Sequence, residues 1–120
     1  THERINNMKS YLTHHIGSRV FAVPSLYNDS TTALILTDKE GERVATASVN
    51  MANELTIPWD QILVKDFNEN EGMLKTLVEG GIVETTGFVH QNGGNVHLVW
   101  LKNKKILRDL RKLRKQYVSK

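Results

Sequence analysis

The chain has 120 residues, 39% of them hydrophobic and 24% charged, with two prolines and no cysteine. That length fits one small domain, and the mix excludes a disordered or collagen-like chain while allowing a modest core. Without cysteine there are no disulfides, thiolate metal sites or cysteine nucleophiles, a composition that suits a cytosolic protein. The net charge of +3 hides an asymmetry: residues 102–120 hold nine bases against the single acid Asp109, whereas the rest of the chain holds seven bases and twelve acids. An acidic body with a basic end points to an electrostatic partner, inside or outside the chain. No apolar run nears the ~18 residues of a membrane span, and no leading signal peptide is read. The chain opens on Thr1 rather than Met, so its natural start is expected to be missing or processed.

Residues 1–16 read ambiguously: Ile5, Met8 and Leu12 recur at helical spacing, but Asn6, Asn7 and the Tyr11-Leu12-Thr13 run weaken a helix. Residues 19–23 read as a strand ended by Pro24, which lacks the N–H of a central ladder. After a loop at Asn28-Asp29-Ser30, residues 32–37 are rich in strand formers. The turn residues Asp38-Lys39-Glu40-Gly41 and a returning strand over 42–50 complete a hairpin. Beyond a loop near Asn53-Glu54, residues 61–65 predict a short strand. Asp66, Asn68, Glu69, Asn70 and Glu71 are helix-capping side chains, and Met73, Leu74, Leu77 and Val78 form one apolar stripe ended by Gly80-Gly81. A helix is therefore predicted at about 69–79.

Residues 82–90 and 96–101 predict a second hairpin. A two-residue Gly93-Gly94 loop would set His90 opposite His97, and the apolar base suggests a central position covered on both faces. Residues 104–118 predict an amphipathic helix in which Ile106, Leu110, Leu113 and Tyr117 share one face and the remainder is almost wholly basic. The expected fold is α+β: a mainly antiparallel sheet of about five or six strands, one short packed helix and a basic C-terminal helix. It forms a single domain, an acidic body over 1–101 and a basic helix over 102–120.

Paired imidazoles at His90 and His97 would suit a metal, but a third ligand is not evident and His14-His15 do not supply one. Asp66, Glu69 and Glu71 suit helix capping, or an acidic patch that faces a basic partner or receives the chain's own tail. Neither glycine pair has phosphate-loop context, and no GxSxG or HExxH motif occurs. Neither an enzyme nor a cofactor is expected. Lys104, Lys105, Arg108, Arg111, Lys112, Arg114 and Lys115 form the strongest candidate site, either the solvated basic face of a docked helix or a surface for nucleic-acid phosphate or a nucleoprotein partner. With only Tyr117 as an aromatic in the helix, base stacking is not signalled. The a/d-like stripe would also let the helix pair with a second copy of itself in a homodimer.

The run from Val64 through Lys65-Asp66-Phe67-Asn68-Glu69-Asn70-Glu71-Gly72 to Met73-Leu74 continues in Leu77-Val78-Glu79-Gly80-Gly81-Ile82-Val83-Glu84. With Ala45-Thr46-Ala47-Ser48-Val49-Asn50 ahead of it, this stretch resembles a family of small domains of unknown function carried by bacterial plasmids, conjugative elements and phages. The likeness spans about residues 31–101 and leaves the first thirty residues and the basic tail unmatched. It implies a mobile-element accessory protein without an assigned catalytic site, expected in the cytoplasm of a bacterial host. By analogy such proteins counter host defence by binding, as anti-CRISPR inhibitors of Cas effectors do. A plasmid or phage regulatory protein that binds nucleic acid is the alternative.

Overall fold

The runs of β-branched and apolar residues form strands at the positions where turn chemistry brackets them. The computed structural model describes residues 10–12, 19–51, 55–91 and 93–119. Its strands are β1 (Ser10–Leu12), β2 (Arg19–Leu26), β3 (Thr32–Thr37), β4 (Arg43–Thr46), β5 (Ser48–Val49), β6 (Gln61–Lys65), β7 (Val83–Gln91) and β8 (Asn95–Leu101). Two helices, α1 (Met73–Glu79) and α2 (Lys104–Ser119), and a 3₁₀ turn at Asn68–Asn70 complete the described elements. Of the ambiguous first segment, Ser10–Leu12 is a strand. Ile5, Met8, the His14-His15 pair and the Asn53-Glu54 loop lie outside the described residues.

The α+β class holds, but the expected single sheet is two antiparallel sheets, ordered β1-β2-β3-β4 and β5-β6-β8-β7. The chain changes sheets at Ala47, whose N–H donates to the Leu34 carbonyl at 2.9 Å and whose own carbonyl accepts from Lys65 N–H at 3.2 Å. A fully buried alanine is small enough to let the two sheets meet there.

β2 does not stop at Pro24. Leu34, its register partner, directs its N–H to Ser48 Oγ at 2.9 Å and its carbonyl to Ala47. Pro24 and Leu34 therefore form a non-hydrogen-bonded pair, and the absent proline N–H costs the ladder nothing. The β3–β4 hairpin closes at the predicted turn, but the returning strand expected over 42–50 is divided: Arg43–Thr46 pairs with β3, whereas Ser48–Val49 pairs with β6. Gly41 at φ +88° makes the turn, and Asp38 Oδ1 accepts from the N–H groups of Glu40 and Glu42, each at 2.9 Å.

α1 starts at Met73 rather than near residue 69, because Gly72 at φ +88° breaks the path and the buried Asn70 side chain turns away to donate to the Thr46 carbonyl at 2.7 Å. Glycine offers no capping side chain, so Asp66 Oδ1 reaches from upstream to accept the Leu74 N–H at 3.1 Å. At the other end Gly81 is left-handed at φ +73°; its N–H bonds Val78 O and that of Ile82 bonds Leu77 O, both at 3.0 Å. This is the Schellman pattern, with Ile82 and Leu77 both fully buried beneath it.

The second hairpin differs from expectation in register and in place. Gln91 pairs with Asn95, His90 with Val96 and Val89 with His97, so the loop is one residue longer than a Gly93-Gly94 turn. That slip sends His90 and His97 to opposite faces of the sheet and removes the paired-imidazole arrangement. β8 is internal, but β7 is the sheet's edge, with Glu84, Thr85, Phe88 and Val89 exposed. A bulge at Gly87 (φ +90°) twists it, held by Thr86 Oγ1, which donates to the Leu98 carbonyl and accepts from Phe88 N–H.

The hairpin loop is seated by Phe67, whose ring lies against Gly94 so closely that a Cβ there would penetrate the ring carbons. Gly94→Ala is expected to lower stability by about 1–3 kcal/mol in urea unfolding, since Phe67 must leave its seat. An unchanged unfolding midpoint would contradict that packing.

One core joins the elements. Val20, Ala22, Leu34 and Leu36 of the first sheet meet Ile62, Val64, Val99 and Leu101 of the second, with Met73 and Leu77 of α1 and Ile106 and Leu110 of α2. A smaller cluster of Met51, Leu63 and Val96 covers the other face of the second sheet.

Candidate functional site

α2 forms because its apolar residues recur on one face and because Asn103 caps it, accepting the Ile106 N–H on Oδ1 at 3.0 Å. That face lies on β2: Ile106 and Leu110 are buried, and Leu113 is half-buried. The stripe foreseen as a pairing seam is thus taken up by the chain's own body, and a homodimer through it would require the helix to undock.

Docking by the apolar face turns the charges outward. Lys104, Arg108, Arg111, Lys112 and Lys115 are exposed, whereas Lys105 and Arg114 are half-buried at the flanks. Lys104, Arg108, Arg111 and Lys115 follow at i, i+4, i+7 and i+11, a row about 16 Å long at 1.5 Å per residue. The helix's acid, Asp109, lies off this row and sits 3.4 Å from Lys105 Nζ. Both partners are more than a third exposed, so that pair adds little to stability.

The far end of α2 is tied to the turn after β2. Arg114 Nη1 donates to the Ser30 carbonyl at 3.4 Å and Tyr117 Oη to the Asn28 carbonyl at 3.3 Å. The turn itself is held by Asp29, whose carboxylate accepts from Thr31 N–H, Thr31 Oγ1 and Asn50 Nδ2. These donors, the Thr31 hydroxyl foremost, lower the Asp29 pKa below its ordinary value. Because the folded value is the lower one, Asp29 stabilises the fold above the ordinary carboxylate range, and that contribution fades as pH falls through the folded value. Asp29→Ala is accordingly expected to melt below the parent at pH ~6, with the gap closing as pH drops below ~4. A gap independent of pH would refute this role.

Trp59 is the member of this surface that sequence reasoning missed. Half-buried against the core, its ring lies 5.5 Å from the Arg111 guanidinium and 5.8 Å from that of Arg114, both within cation–π range. Periodicity carries no signal for a contact 52 residues away in sequence.

The acidic candidates are engaged locally. Asp66 caps α1 with one oxygen and holds the other 3.9 Å from His97 Nε2. Glu69 pairs with Lys65 at 2.7 Å, and Glu71 is exposed. Among the described residues no three His, Asp or Glu side chains gather to hold a metal ion. A cleft of about 100 Å³ between Thr32, Val49, Met51 and Leu63 falls well below the ~300–1,000 Å³ of small-molecule sites. Among the described residues, no helix is long and apolar enough to cross a membrane.

No family model matches the chain, and neither a curated protein nor a solved structure matches it.

Proposed function

We propose that the chain is an accessory protein of a mobile genetic element, acting without catalysis in the cytoplasm of a bacterial host by binding nucleic-acid phosphate along α2. The observation that carries this reading is the outward cationic row on a helix anchored to its own core. Anchoring supports binding because the charges are held in place before a ligand arrives, so little ordering is required on contact. Neutralising phosphates with such a row releases counterions, and affinity then falls steeply with salt. The test is fluorescence anisotropy of labelled nucleic acid titrated with the full chain over a range of salt. A log–log slope near −3 to −4 is expected for about four to five phosphate contacts. No binding at ~50 mM salt would overturn the reading.

A second reading makes the target a host defence nucleoprotein, with the chain as an anti-CRISPR inhibitor of a Cas effector. The exposed Phe88 and Val89 on edge strand β7 favour it, since an uncovered apolar edge is suited to pairing with another protein. The imitation of phosphate by Asp66, Glu69 and Glu71 finds less support, because Asp66 and Glu69 are held in intrachain contacts. Incubating the chain with guide-loaded Cas effectors and measuring target cleavage separates the two. Inhibition that saturates at one chain per effector favours the inhibitor. Inhibition that excess unrelated nucleic acid relieves favours the plain binding protein.

A further inference from the structure

We infer that α2 and Trp59 together form a platform for single-stranded nucleic acid, with unpaired bases stacking beside the phosphate row. The inference rests on the phosphate-binding reading above and adds the class of strand that fits. A bare cationic row does not distinguish a duplex from a single strand, because both present phosphates at its spacing. The flank of α2 does.

Along that flank lie four flat groups. The Arg111 and Arg114 guanidinium groups lie 5.5 and 5.8 Å from the Trp59 ring centroid, and the Tyr117 ring, 46% exposed, follows one turn later. Arg114 is tethered to the Ser30 carbonyl and Tyr117 to the Asn28 carbonyl, so these groups are fixed before a ligand binds. Arg111 stands on the exposed row and beside Trp59 at once, which places a phosphate contact directly against a stacking surface. Aromatic rings and guanidinium planes next to a cationic track are what sequence-tolerant single-strand binders use, and every base has a face to offer them. In a duplex those faces are already stacked on one another, so only the phosphate row would be engaged.

The test compares three probes of about 12 nucleotides or base pairs, within the usual site size: an unstructured thymidine strand, an abasic strand with the same phosphates, and a duplex. The protein is the full chain carrying Trp100→Phe, so that Trp59 is the fluorophore. The thymidine strand is expected to bind roughly tenfold more tightly than the abasic strand and the duplex, and to quench Trp59 emission. Trp59→Leu, which keeps apolar volume but loses the ring, is expected to remove that preference while the salt slope stays. Equal affinity for thymidine and abasic strands, with no quenching, would overturn the stacking inference and leave phosphate binding standing. Failure of all three probes to bind would overturn both. If Trp59→Leu fails to fold by circular dichroism, the thymidine-against-abasic comparison on the Trp59-bearing chain decides alone.

Discussion

Replacing Lys104, Arg108, Arg111 and Lys115 together with Gln is expected to weaken nucleic-acid binding about a thousand-fold at ~0.1 M salt and to flatten the salt slope by about three. The magnitude follows from counterion release: each lost phosphate contact removes roughly 0.7–0.9 from the slope, and four such contacts at that salt sum to about three decades. All four side chains are exposed on the solvent face of α2, and losing the contact of Arg111 over the Trp59 ring at 5.5 Å is expected to cost no more than about 1 kcal/mol of stability. Net charge drops from +3 by four, which alone weakens any association with a polyanion. The control is therefore a triple variant, with the exposed Lys39, Arg43 and Lys75 changed to Gln, which lowers the net charge by three outside the basic end. Anisotropy titrations of both should show a large loss for the first and a small one for the second. Equal losses would mean that net charge, rather than the row, governs binding.

Leu110→Ala is expected to cost about 2–5 kcal/mol, measured by urea or thermal unfolding. Leu110 is fully buried on the face of α2 that lies on β2, in the same core cluster as Val20 and Ala22. Truncation there leaves a cavity that a framework of two sheets and two helices can close only in part. Against a total of about 5–15 kcal/mol for a domain, this is a large fraction. Leu113→Ala, at a half-buried site, should cost less. A loss below ~1 kcal/mol at Leu110 would indicate that α2 is only loosely attached. The result bears on function too: cutting the chain after Lys102 would remove Ile106 and Leu110 from the core, so lost binding by that fragment would not separate unfolding from a missing interface. Charge substitution does.

What the sequence determined by itself was local. Strands at 32–37 and 61–65, the Asp38–Gly41 turn chemistry, the Gly80-Gly81 stop and the amphipathic helix from residue 104 were all legible, because propensity, capping and periodicity act within a few residues. The charge segregation was equally plain, and with it the seven basic candidates on one helix.

Tertiary structure decided the rest, for reasons that lie far apart in the chain. Whether β2 could run through Pro24 depended on where Leu34 sent its hydrogen bonds. The division into two sheets depended on Ala47 bridging Leu34 and Lys65. The hairpin register, and so the separation of His90 from His97, turned on a loop one residue longer than a two-glycine turn, against which Phe67 is seated. Asp66 left the acidic patch because Gly72 has no side chain to cap α1. The direction in which the basic face points followed from the apolar face finding β2, and the same docking brought Arg111 and Arg114 to Trp59. Periodicity tells which side chains share a face; only the packing of that face tells what the opposite one will meet.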